Sequence, residues 1–150
     1  MDSDDYNILS YFLRKNIVSY DQVISWAFAQ HGWEASECFI EKVSVSLDAN
    51  EVIDLIGDTY QVYGKPSNEF LIGEIANKYS DDKCSLYAAI SHLLFDLDFG
   101  LSEREREELY LADDYFSWHD SAELKAKEHA LPILHKYLSI YTLAVSRLGF

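Results

Sequence analysis

Three groups of residues in this 150-residue chain have side chains that could do chemistry. His92 lies one helical turn before Asp96, a spacing that suits a base and the carboxylate that orients it. His119 and Asp120 form a doublet of the kind that holds metal in some hydrolases. Asp96, Asp98 and Gly100, with Glu107 twelfth in the run, open like a calcium loop. Each pattern is incomplete. The doublet needs a distant His and Asp in helical register. The calcium loop needs glycine at its sixth position, but Gly100 stands at the fifth and Arg104 occupies a ligand position. Asp113–Asp114 lacks the third carboxylate of a diphosphate-binding motif. His129 and His135 are six apart and fall on different faces of a helix. There is no HExxH, GxSxG, GxGxxG or Walker loop. Cys38 and Cys84 lack CxxC spacing and read as reduced, buried thiols of a cytosolic protein. The expectation is a protein with no catalytic residue, no metal and no cofactor. The enzyme alternative is a metal-dependent hydrolase using His92, His119 and Asp120.

The elements that would carry these residues are helices. Tyr6, Leu9, Phe12 and Leu13 recur at helix spacing over 5–15. Ser19 with Gln22 is a capping-box pattern; it opens a helix with Val23, Trp26 and Ala27 on one face, closed by Gly32. Ser36 begins a short segment with Phe39, Ile40 and Val43. Residues 43–47 alternate like a strand, but so briefly that they read as a helix end or loop. Asp48 with Glu51 caps a helix through Val52, Leu55, Ile56 and Tyr60, closed by Gly64. A helix with Phe70, Ile72, Ile75 and Tyr79 follows, then one over 82–97. Ser102 with Glu105 caps a helix to about Ser117. Asp120 with Glu123 starts a last segment to Leu148, in which Pro132 predicts a kink or restart. The reading is all-α, a compact single-domain bundle or array of about eight helices over 1–150.

Composition agrees. Hydrophobic residues make up 49% of the chain, enough for a packed core, and 6 Gly with 2 Pro are few for a β-sandwich. The opening MDSDDYNILS lacks the basic and apolar regions of a leader, and no apolar run approaches a membrane span. A soluble, cytoplasmic protein is expected.

The charge narrows the partner. The net charge is -14, which disfavours nucleic acid and anionic membrane and suits a basic protein or a divalent cation. Residues 1–64 hold 11 acids and 3 bases, and residues 96–123 hold 10 acids and 2 bases, so each block nets -8. Residues 124–150 hold 1 acid and 4 bases. Within the blocks the acids are ordered. Glu51, Asp54 and Asp58 share one helix face, and Glu103, Glu107, Tyr110 and Asp114 share another; Asp96, Asp98 and Asp113 of the second block join them as candidate partner-binding residues. Like charges one turn apart cost a few tenths of a kcal/mol per pair. Such stripes are either a solvated face or a docking surface for a basic protein. A tyrosine among the carboxylates favours docking.

Three segments carry a family resemblance: Tyr6-Asn-Ile-Leu-Ser-Tyr-Phe-Leu-Arg-Lys15, Val18-Ser-Tyr-Asp-Gln-Val-Ile-Ser-Trp-Ala27 and Asp48-Ala-Asn-Glu-Val-Ile-Asp-Leu-Ile-Gly57. Here the chain resembles the small, acidic, all-helical immunity proteins of bacterial contact-dependent inhibition and related polymorphic toxin systems. The resemblance implies a non-catalytic protein that binds a cognate toxin domain and blocks its active site. It also implies a basic partner surface, as in a nuclease cleft. A regulatory or scaffold protein with another basic partner fits the same residues.

Overall fold

The computed structural model describes residues 1–30, 37–97, 99–118 and 122–150. They are helical, with no strand among them. The chain groups into two compact units: Met1–Pro66 with Val145–Phe150, and Ser67–Ala144.

The first unit begins with α1 (Ser3–Arg14), opened by a reciprocal box in which the Asp2 carboxylate accepts the Asp5 N–H and Asp5 accepts the Asp2 N–H. Asn16 takes a positive φ after it. Ser19 and Gln22 then form the expected box at the start of α2 (Tyr20–Gln30). α3 (Glu37–Ser44) ends before the alternating residues 45–47, which are loop. α4 (Ala49–Tyr60) is capped by Asp48, while the Glu51 carboxylate reaches one residue further back to the Leu47 N–H at 2.6 Å. α1 packs on α4, and α3 packs on both α2 and α4. Ile8, Leu9, Val23, Ala27, Val43, Val52 and Ile56 are sealed between them. Tyr6 stacks on Tyr60 with ring centroids 3.5 Å apart, and Phe39 meets both rings edge-on. Burial raises the Tyr6 hydroxyl pKa, so this tyrosine stays neutral.

The second unit contains α5 (Asn68–Ser80), α6 (Leu86–Ser91), a π-helical turn over His92–Asp96, α7 (Glu103–Trp118) and most of α8 (Ala122–Leu148). Its core joins Ile72 and Ala76 of α5, Ala89, Ile90 and Leu93 of α6 and its π-turn, Leu109 and Ala112 of α7, and Ala126, Ala130, Leu134 and Tyr137 of α8. Gly73 lets α5 approach the α8 backbone directly, because a Cβ there would lie 2.5 Å from the Tyr137 carbonyl oxygen.

Four expectations are corrected. α4 stops at Tyr60 rather than near Gly64, because Gln61 turns left-handed at φ 53. The helix expected from Asp82 starts four residues later. Asp82 has φ 56 and closes α5, so the new cap is Ser85, which accepts the Ala88 N–H. α8 does not restart at Pro132, since one helix runs through it. Cys38 is exposed and Cys84 half-buried, both as free thiols. Gly32, Ser36 and the His119–Asp120 pair lie outside the described residues. No described helix is long and apolar enough to cross a membrane.

Candidate functional site

The two acidic stripes fall in different units. Glu51, Asp54 and Asp58 are all exposed on α4. Glu51 has a local structural role as a cap. Asp54 and Asp58 line an open depression of about 840 Å³ with Arg14, Gln61 and Tyr63. The Arg14 guanidinium donates to the Tyr63 carbonyl at 3.0 Å, placing a fixed positive charge in the same depression. That stripe is therefore a mixed-charge surface.

The second unit's stripe has a different character. Glu103, Glu107, Tyr110 and Asp114 are exposed along one side of α7, and Leu111 is exposed beside Tyr110. Opposite them Leu109 and Ala112 are fully buried in the core. The periodic face predicted from sequence is thus the outer face of α7. Asp113 sits at its edge, half-buried, and Asp98 lies outside the described residues. Among the described residues no cation pairs with Glu103, Glu107 or Asp114. Asp96 is exposed on the π-turn and lies 3.8 Å from His92, which is itself mostly exposed.

The inner carboxylates of α7 hold the face in place. Glu105 accepts from the Ser102 N–H and hydroxyl and from Lys136 Nζ at 2.7 Å, and the Tyr137 hydroxyl lies 3.1 Å from it. Partial burial by itself would raise the Glu105 pKa. The bonds from Lys136, Ser102 and Tyr137 outweigh that and hold it down to about 2. Glu108 meets His129 Nδ1 at 2.6 Å, and Tyr115 stacks on the same imidazole. Both contacts tie α7 to α8, so they are positioning contacts for the outer stripe.

The depressed Glu105 pKa has a definite sign. The folded value of about 2 lies below the ordinary 4.5 of an unfolded glutamate. Its stabilisation is complete above that ordinary value and disappears as pH falls through the folded one. Urea unfolding of the intact protein should therefore lose stability from about pH 5 to about pH 2 with a contribution that Glu105→Gln removes. At neutral pH the substitution should cost about 2 kcal/mol, the scale of hydrogen bonds to a charged group. Parallel pH profiles for the two proteins would contradict this role.

No protein-family model, curated protein or solved structure matches the chain. The functional reading therefore rests on the site itself. Among the described residues, no group of three or more His, Cys, Asp or Glu is placed to hold a metal ion. His92 and Asp96 form a two-membered surface pair on one turn.

Reading the sequence alone overlooks the apolar part of the face. Phe95 is 61% exposed and Leu111 47%. The Phe95 ring of the π-turn meets Tyr110 of α7 with centroids 6.5 Å apart, and Tyr87 of α6 meets Phe116 of α7 at 5.4 Å. The available signal was the run Phe95-Asp-Leu-Asp-Phe99, where aromatics alternate with acids just beyond the apolar stripe of α6.

Proposed function

We propose that this chain is an immunity protein: it binds a cognate toxin domain through the outer face of α7 and blocks it. The toxin is a domain with a basic surface, best matched by a nuclease whose cleft normally holds nucleic-acid phosphates. The chain acts in the cytoplasm as a stoichiometric inhibitor rather than as an enzyme.

One observation carries this reading. Among the described residues, Glu103, Glu107 and Asp114 lie exposed and without ion-pair partners on one face, around an exposed tyrosine. Unpaired like charges at one-turn spacing weaken the helix that holds them. A basic partner removes that repulsion on binding and gains steering toward the encounter. The resemblance of the N-terminal segments to immunity proteins points the same way.

The reading expects a large toxin gene directly before this one, and the test uses the C-terminal domain of its product. Purified chain should abolish that domain's nuclease activity at an equimolar ratio. Replacing Glu103, Glu107 and Asp114 together with alanine should slow association about tenfold at low salt and flatten its salt dependence. If association rate and salt slope are unchanged, the outer face of α7 is not where the toxin docks.

A further inference from the structure

Charge alone does not account for the apolar side chains on this face. On the α7 stripe, Glu103 and Glu107 precede Tyr110 and Leu111, and Asp114 follows them. Phe95 comes from the π-turn to lie against Tyr110. The turn buries Leu93 and Leu94 in the core and leaves Phe95 outside. The result is an acidic, apolar, acidic order along one helix axis about three turns long.

We infer that the Phe95–Tyr110 pair, with Leu111, is the anchor of a docking site for a basic amphipathic helix of the partner. Apolar side chains of that helix cover the two rings, and its Lys or Arg residues flank them and meet Glu103, Glu107 and Asp114. This rests on the reading of the α7 face as the docking surface and names what that surface accepts. Charge complementarity selects the occupant. A second copy of this chain brings the same carboxylates to the contact. Anionic membrane and nucleic acid are repelled for the same reason. A linear order of charges around a central apolar position matches an amphipathic helix laid along α7. Exposed aromatics at the centre of a charged rim set the lifetime of such a complex, while the rim sets its rate of formation.

Two synthetic helical peptides of equal positive charge test the inference on the full chain. One carries a stripe of leucines between its lysines; the other has serine at those positions. Fluorescence anisotropy should show the leucine peptide binding about tenfold more tightly, the effect of one well-buried anchor. Phe95→Ala and Tyr110→Ala should each erase that advantage while the helical spectrum and melting temperature stay near those of the parent. Phe95 is exposed enough that its truncation leaves the core intact. The triple substitution Glu103→Gln, Glu107→Gln and Asp114→Asn should weaken both peptides equally and flatten their salt dependence.

If the leucine advantage survives both aromatic truncations, or both peptides bind alike, the anchor is wrong while the acidic docking face stands. If neither peptide binds, or the charge variant changes nothing, the docking face falls with it. Inhibition of the toxin domain is a separate measurement, so the identity of the toxin fails or holds independently.

Discussion

Replacing Arg147 with alanine is expected to destabilise the first unit by about 3–5 kcal/mol, the cost of leaving a buried charge without its partner. Asp5 is 1% exposed. Its Oδ1 accepts from Arg147 Nε at 3.0 Å and from Arg147 Nη2 at 2.8 Å, and its Oδ2 accepts the Asp2 N–H at 2.9 Å. The arginine keeps much of its own surface in water, with a side chain 44% exposed. The desolvation cost therefore falls on the carboxylate. Truncating Arg147 leaves Asp5 with backbone and helix-terminus support only, in the first turn of α1. Asp5→Asn in the Arg147→Ala background should recover part of the loss, because a neutral amide is far cheaper to bury than a carboxylate. Urea unfolding at neutral pH reads both numbers. A loss below about 1 kcal/mol for Arg147→Ala would place this pair with ordinary surface ion pairs. Lys127 with Glu123 is the contrasting case, a solvent-facing pair one turn apart on α8 whose removal should be close to neutral.

The same pair marks the boundary of what a sequence displays. Ser19 with Gln22 and Ser102 with Glu105 are visible because a cap and its partner are three residues apart and obey one local geometry. The outer stripe of α7 is visible because helix periodicity places Glu103, Glu107, Tyr110 and Asp114 together without reference to the rest of the chain. Which acids are used internally is not visible. Glu105 meets Lys136, Glu108 meets His129 and Asp5 meets Arg147 across separations of 31, 21 and 142 residues. The capping box marks Glu105, but nothing in the local pattern shows that it also reaches Lys136 on α8. The breaks at Gln61 and Asp82 were hidden for another reason. Each depends on a non-glycine residue adopting positive φ, which costs little for aspartate and leaves only a weak compositional mark. Phe95 falls off the apolar stripe of Leu86, Ala89, Ile90 and Leu93 by helix spacing alone, but its meeting with Tyr110 of α7 is a tertiary contact that local spacing does not display.

Gly73→Val should cost the second unit about 3 kcal/mol or more, and Gly73→Ala should destabilise rather than stabilise. Helix propensity alone gives the opposite sign, since alanine is better than glycine inside a helix by about 1 kcal/mol. Packing decides. The added Cβ would lie 2.5 Å from the Tyr137 carbonyl oxygen and 2.7 Å from the Tyr141 Cβ. A carbonyl within α8 cannot rotate away as a flexible side chain does, so the helices themselves must separate. Ile72, Ala76, Leu134 and Tyr137 belong to one core around this contact, and separation opens space among all of them. The effect should also reach the start of α7. The Tyr137 hydroxyl lies 3.1 Å from both the Gly100 carbonyl and the Glu105 carboxylate, at the start of α7. A displaced α8 loosens the bonds that hold Glu105, so Gly73→Ala should reduce the share of the acid-range pH dependence that Glu105 contributes. Thermal unfolding and the pH profile of Gly73→Ala check the two consequences separately. A raised melting temperature would mean that the helices yield without loss, and that the close backbone contact does not set the α5–α8 spacing.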